Sequence, residues 1–255
     1  MRNLQTMADK YRYFLKLAYN GSNYHGWQRQ ENAISVQQVL EEAVSTIFGE
    51  QIDITGAGRT DTGVHATEFF AHFVTTRRFR KDFLSENVFI LNSFLPADIY
   101  VFDIYQVDTE FHASFSAHSR TYEYHIIRRK DPFLSELAWF VHGKLDVDRM
   151  NKAAAVLKDY RDFTSFSKLH TQVKTNNCEL MAAGWEQKDH LLVFTIKADR
   201  FLRNMVRAIV GTLVDVGRGK INIDEFRQII EAQDRSEAGL SVPAHGLYLV
   251  KIEYP

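Results

Sequence analysis

A single cysteine, Cys178, stands in a chain of 255 residues. It excludes an internal disulfide and any cysteine metal cluster, and it fits a reducing cytoplasm. Long apolar runs are missing too. No stretch approaches the roughly eighteen apolar residues of a membrane span, and Met1 to Lys10 has no apolar segment of the signal-peptide kind. A cytoplasmic location without membrane association is therefore expected. Ten histidines occur without a His-x-x-x-His pair or any His, Cys and carboxylate spacing typical of zinc. There is no Walker loop and no dinucleotide fingerprint. Net charge is nearly absent, at −1. A nucleic-acid partner must then meet a local basic surface.

What the chain holds in quantity is aromatic residues, 13%, with 19 Phe and 11 Tyr. Its 45% hydrophobic and 25% charged residues are ordinary for a soluble globular protein. The length allows one or two domains that bury about 70–75% of the unfolded surface.

Chemistry concentrates in Gly56-Ala57-Gly58-Arg59-Thr60-Asp61-Thr62-Gly63-Val64-His65-Ala66. Three glycines so close together imply positive φ or close approach by another group. An arginine fixed near Asp61 would hold the carboxylate ionised and limit its rotation, and Arg59 stands two residues before it. Ile52 and Ile54 precede the loop, and Phe69, Phe70, Phe73 and Val74 follow it, so it is expected to join two buried strands. An oriented carboxylate on such a loop suits a nucleophile. The bland reading is an ordinary Asp-Thr-Gly turn. Asp-Thr-Gly is also the aspartic-protease signature, but that chemistry needs two carboxylates sharing a proton, and no second Asp-Thr-Gly or Asp-Ser-Gly occurs. His65 reads as a packing histidine rather than a ligand.

Taken in order, the chain alternates strands and helices. A strand over Tyr13–Tyr19 enters a turn at Asn20-Gly21-Ser22-Asn23. The loop Tyr24 to Gln30 reads either as a platform presenting Trp27 and Arg29 to a partner or as a surface loop with one buried Trp. Ser35 and Gln38 form a capping-box pattern before a helix, whose apolar face is Val36, Val39, Leu40, Ala43, Val44, Ile47 and Phe48, with Gly49 ending it. Strands are expected over Gln51–Thr55 and Glu68–Thr75, a helix over Asp82–Leu91 and a strand over Ile99–Val107. The second half repeats the plan: strand Thr121–Arg129, helix Val147–Leu157 with Asp146 or Asp148 near its start, a hairpin of Leu180–Glu186 and Leu191–Ala198, helices Phe201–Val216 and Asp224–Glu231, and strand Gly246–Tyr254. Two split β-α-β units predict an α+β protein of two ferredoxin-like halves, each an antiparallel sheet with helices on one face. The boundary falls near Asp108 to His112, giving 1–108 and 109–255, with the two sheets expected to associate around a central cleft.

Within the expected helix over Phe201–Val216, Arg200, Arg203 and Arg207 recur at i, i+3 and i+7 as a stripe beside an apolar face. Such a stripe is commonly a solvated face, yet arginine forks also suit phosphates and carboxylates. Arg77, Arg78, Arg80, Lys81, Arg128, Arg129, Lys130, Lys168 and Lys174 add further basic groups. They make an RNA groove only if folding gathers them.

Seven short motifs in order resemble the TruA family of tRNA pseudouridine synthases (tRNA pseudouridine synthase I), from Tyr13 to Tyr254. They are Gly26-Trp27-Gln28-Arg29-Gln30; Gly58 to His65; Phe111-His112-Ala113 with Phe115-Ser116-Ala117; Arg120-Thr121-Tyr122-Glu123-Tyr124; Asp162-Phe163-Thr164-Ser165-Phe166; Met205-Val206-Arg207 with Ile209-Val210-Gly211; and Gly246-Leu247-Tyr248-Leu249. Any one alone is weak; their order makes the resemblance specific. It implies that Asp61 is the catalytic aspartate, that Arg59 holds RNA in place, that Tyr122 stacks on the target uracil, that Arg207 pairs with Asp61 and that Leu247 walls the pocket. Glu123 departs from a motif that is often basic, and on a strand it would point away from Tyr122. The implied reaction is a cofactor-free isomerisation of uridine to pseudouridine at tRNA positions thirty-eight to forty, in the anticodon stem-loop, by a homodimer whose subunits share one tRNA. The other reading is a non-catalytic RNA-binding module, because a β-α-β-β-α-β half is also the RRM plan, with Phe69 and Phe73 on a middle strand.

Overall fold

The computed structural model describes residues 9–168 and 175–255; Lys174, one of the basic residues singled out above, lies outside them. It is a mixed protein of five helices and mostly antiparallel sheet among the described residues. These residues divide into two units. The first comprises the described residues through Thr62, then Ala66–Ala117 and Pro255; the second comprises Gly63–His65 and the described residues of His118–Tyr254.

The first unit is built from β1 (Tyr11–Tyr19), α1 (Val36–Phe48), β2 (Thr55–Gly56), β3 (His65–Thr75), α2 (Lys81–Phe94) and β4 (Ile99–Val107). β1 pairs antiparallel with β4 and with β3, and β2 pairs antiparallel with β3. Along β1 the alternation expected of a strand places Tyr13, Leu15 and Leu17 in the core, each fully buried. Rings close the layer between sheet and helices: Tyr13 lies 5.4 Å from Phe73, and Phe48 lies 5.8 Å from Phe73 and 4.9 Å from Phe79. Ser35 caps α1 by accepting the Gln38 N–H. Gln38 turns its side chain to Glu42, so the reciprocal half of the capping box is not made. Gly49 ends α1 at φ 68.

The expected strand over Gln51–Thr55 shrinks to Thr55–Gly56. Ile52 and Ile54 are buried as a strand reading requires, but their backbone is satisfied by side chains of α1. The Ile52 N–H donates to Ser45 Oγ, the Ile54 N–H to Glu41 Oε1, and the Ile54 carbonyl accepts from Gln37 Nε2. With those groups spent, no ladder is needed. β3 begins earlier than expected, at His65, and α2 extends to Phe94.

The second unit holds β5 (Ser119–Ile127), β6 (Trp139–Phe140), α3 (Val147–Val156), β7 (Leu180–Lys188), β8 (Leu191–Ala198), α4 (Met205–Gly217), α5 (Ile223–Glu231) and β9 (Leu247–Glu253). Its antiparallel order is β9-β5-β8-β7, with β6 running parallel beside the end of β5. Tyr124, Ile126, Phe194, Ile196, Met205, Ile209, Leu213 and Phe226 are fully buried in one core. Asp146 caps α3, and Asn222 with Glu225 forms a complete capping box on α5. α4 starts four residues later than expected. Asn204, at φ 67, breaks the helical path; asparagine tolerates this left-handed region better than most residues. Leu202 is still buried, which is why the apolar period runs back past the true start. Arg200 and Arg203 therefore precede the helix, and the arginine stripe is not a helical face. No helix among the described residues is long and apolar enough to cross a membrane.

Candidate active site

Asp61 lies half-buried on the stretch between β2 and β3. Its neighbour Thr60 is buried and held twice. The Thr60 hydroxyl is 2.8 Å from the Tyr19 hydroxyl, and the Thr60 carbonyl accepts the Trp27 N–H at 3.3 Å. Trp27 is itself buried, its ring 4.2 Å from Phe69. A Cβ on Gly56 would collide with this indole, and Gly63 takes φ 77. Two of the three loop glycines thus have the reasons expected of them; at Gly58 a Cβ would meet open space. The Trp27 loop is a brace for the Asp61 loop and does not present its indole outward. Arg29 is engaged as well, 3.2 Å from Glu41. Arg59 is exposed and pairs with no carboxylate among the described residues, so the expected clamp of Asp61 by Arg59 is not formed.

In the second unit Tyr122, Leu247 and Arg207 gather around Tyr124. Tyr122 and Tyr124 share a face of β5, and Tyr124 stands opposite Leu247 while Tyr122 stands opposite Leu249. Tyr122 packs at the edge of the core, edge-on to Phe201 at 5.1 Å. Leu247 is buried. The Arg207 Nε donates to the Val242 carbonyl at 2.7 Å, and the Tyr124 hydroxyl donates to the neighbouring Pro243 carbonyl at 2.8 Å. Burial raises the Tyr124 pKa, against a smaller opposing pull from the Arg207 charge. Phe201 thus packs against the Tyr122 ring, and the Val242 carbonyl holds the Arg207 guanidinium. The spacing of β5 marks Tyr124 as a core residue, but nothing in the sequence announces Phe201 as the ring partner of Tyr122.

Glu123 faces away from Tyr122, as its strand position predicts. It lies 2.9 Å from His125 and 3.5 Å from Lys188, and chiefly the hydrogen bond with His125 holds its carboxyl below the usual range. His125 stacks on Tyr248 at 4.4 Å, and His65 stacks on the same ring at 4.6 Å. His65 Nε2 is 3.1 Å from the His245 carbonyl, and burial lowers the His65 pKa, so it packs as a neutral ring. The Cys178 thiol is buried, which pushes its pKa up to about 12. Among the described residues no group of three His, Cys, Asp or Glu side chains is placed to hold a metal ion. Several basic residues serve the fold: Arg77 donates to the Phe48 carbonyl at the end of α1, and Arg128 to the Gly143 carbonyl.

The sequence pattern described as tRNA pseudouridine synthase matches residues 17–116 and 153–255. The chain belongs to the tRNA pseudouridine synthase family. Proteins named tRNA pseudouridine synthase A are similar to it over nearly its whole length. The one from Parabacteroides distasonis is 54% identical over 247 residues, 96% of each chain. That of Bacteroides fragilis is 52% identical over 246 residues, again 96% of each, and that of Acetivibrio thermocellus is 41% identical, covering 94% of this chain and 98% of its own. Arg59 and Asp61 fall in the first stretch matched to the synthase pattern, Arg207 and Leu247 in the second, and Tyr122 between them. A non-catalytic RRM-like role is not favoured, and Phe69 and Phe73 are buried in the core rather than displayed for bases.

Proposed function

We propose that this synthase isomerises uridine to pseudouridine in tRNA, at positions thirty-eight to forty of the anticodon stem and loop, with Asp61 as the catalytic aspartate. The observation that carries the reading is Asp61 on a loop whose neighbour Thr60 is fixed by Tyr19 and Trp27, in a chain of this family. Arg59 holds a flanking part of the RNA, Tyr122 stacks on the uracil, Arg207 pairs with the Asp61 carboxylate and Leu247 walls the pocket. In the reaction the C1′–N1 bond breaks and the C1′–C5 bond forms. N1 gains a proton and C5 loses one. No electrons are gained or lost overall, so the isomerisation needs no redox partner. Extruding the base costs a few kcal/mol, which pocket contacts offset.

The reading extends to architecture and setting. Both units have the same spatial order, fourth strand, first, third, second, in β4-β1-β3-β2 and β9-β5-β8-β7. That order supports two ferredoxin-like halves, which we divide as 1–108 and 109–255. We place the enzyme in the cytoplasm as a homodimer whose subunits share one tRNA. The test is nucleoside analysis of unmodified bulk tRNA after incubation with the purified protein. Pseudouridine at positions thirty-eight to forty is expected. No pseudouridine would overturn the function, and pseudouridine confined to other positions would overturn the target.

A further inference from the structure

The motif Phe111 to Ala117 takes no part in the chemistry above, yet it forms a turn fixed by several hydrogen bonds. The Ser116 N–H donates to the His112 carbonyl at 3.0 Å, and the His112 N–H donates to Ser116 Oγ at 2.9 Å. His112 Nδ1 accepts the N–H groups of Ser114 and Phe115 at 3.0 and 3.2 Å. Beneath the turn, His72 Nδ1 accepts the Ala113 N–H at 3.3 Å. Both imidazoles, when neutral, therefore carry their proton on Nε2. Their rings meet edge to face at 4.6 Å. Arg12 donates to the Phe111 carbonyl at 3.0 Å.

On this frame the Phe115 ring is 86% exposed and lies flat on His112, with centroids 4.3 Å apart and planes 26° from parallel. Scattered exposed apolar side chains are common. A ring fixed in one plane by its own backbone hydrogen bonds is a different object. It is the one exposed large apolar side chain among residues 108–118. Its ring partner is the His112 imidazole, and the Arg12 guanidinium lies close enough to His112 to lower that imidazole's pKa. A flat ring beside donors and a cation suits a base carrying a phosphate.

We propose that Phe115, stacked on His112 beside Arg12, is a nucleobase-stacking step that holds an unpaired nucleotide of the tRNA other than the target uridine. The fold separates the two positions. His72 stands opposite Thr55 in β2, while Asp61 lies just before β3 begins. Ala66 to His72 spans roughly 20 Å of strand, more than one base occupies. The inference rests on tRNA being the substrate, and the test separates the two ideas.

Equilibrium binding of tRNA is measured for wild type, Phe115→Ala, Phe115→Leu and Phe115→Trp over a range of salt, with pseudouridine formation followed in parallel. Phe115→Ala and Phe115→Leu should each weaken binding by about five- to a hundredfold. The slope of log K against log[salt] should not change, because no phosphate contact is removed. Phe115→Trp should bind at least as well as wild type. Wild-type affinity in Phe115→Ala overturns the step. Wild-type affinity in Phe115→Leu also overturns it, since an apolar contact would then suffice. A changed sedimentation state in Phe115→Ala with normal tRNA binding reassigns the ring to a protein contact. If the wild type makes pseudouridine while any of these occurs, only the stacking step falls. If the wild type makes none and binds no tRNA, the function falls with it.

Discussion

In the first unit, the residue proposed to do the chemistry sits on a loop, and what fixes it is backbone. Thr60 is held through its hydroxyl and its carbonyl, and Gly56 leaves room for the Trp27 indole. In the second unit, Tyr122 and Leu247 sit on paired strands, and what fixes them is side-chain packing against Tyr124, Phe201 and the core. The loop can bring a carboxylate toward a substrate that arrives from solvent. The strand face offers an apolar surface, the one proposed above to wall the base. One part is assembled from turns and close approaches, the other from alternation, and substitutions should separate them.

The largest effect is expected in the loop. Asp61→Asn keeps the shape of the side chain and removes its charge and nucleophilicity. Turnover should fall by several orders of magnitude with tRNA affinity nearly intact, read as single-turnover release of hydrogen from uracil C5. Release faster than about a hundredth of the wild-type rate would sink the assignment.

On the strand face the expected loss is smaller and divisible. Tyr122→Phe keeps the ring against Phe201 and removes the hydroxyl. If the hydroxyl takes part in proton transfer, the rate should drop at least about a hundredfold, with affinity within a few-fold of wild type. Tyr122→Leu should lose both. A Tyr122→Phe variant that melts lower yet turns over normally would make the hydroxyl a structural group, worth about 1 kcal/mol.

The same contrast explains how much could be read without a structure. The face of β5 that carries Tyr122, Tyr124 and Ile126 is legible from a period of two, and the apolar side of α1 from a period near 3.6. The Gly-Arg-Thr-Asp-Thr-Gly run marks the loop. Its braces are not legible, because Tyr19 and Trp27 reach Thr60 across long stretches of sequence. The strand expected over Gln51–Thr55 misleads for a related reason: Ile52 and Ile54 have a strand's burial, but their partners are Ser45, Glu41 and Gln37 on a helix. At Phe201 the apolar period runs ahead of the helix, and only the positive φ of Asn204 shows where the helix begins.

Stability measurements sharpen the loop side. Gly56→Ala forces a methyl into the Trp27 indole and should cost about 1–3 kcal/mol in urea unfolding, as overpacking does. Gly58→Ala meets open space and has no positive φ to strain. It should be neutral or stabilising by up to about 1 kcal/mol. Equal losses at the two positions would mean that the Trp27 contact is not what makes Gly56 necessary.

The smallest effect expected is a pH dependence carried by His72. Burial, then the nearby His112 and Arg12, lower its pKa to about 4, and its neutral Nδ1 is needed to accept the Ala113 N–H. An unfolded histidine titrates near 6.5. Between about pH 6.5 and 4 the unfolded chain therefore binds more protons than the folded one, and stability falls as pH is lowered through that window. Below about 4 this residue adds no further loss. His112, His65 and His245 are shifted in the same direction, each chiefly by burial, and add to the slope. Glu253, lowered to about 2 mainly by its hydrogen bond from Lys197, acts in a more acidic range, since a depressed carboxyl loses its contribution only as pH falls from about 4.5 toward 2. The two windows can thus be told apart. His72→Asn, which keeps a hydrogen-bond acceptor without a titrating ring, should flatten the stability curve between pH 6.5 and 4 by about 1 kcal/mol, allowing for solvent screening. His65→Asn in the second unit tests whether the acid sensitivity is shared. An unchanged curve in His72→Asn together with a flattened one in His65→Asn would move the sensitivity from the turn under Phe115 to the ring stack on Tyr248.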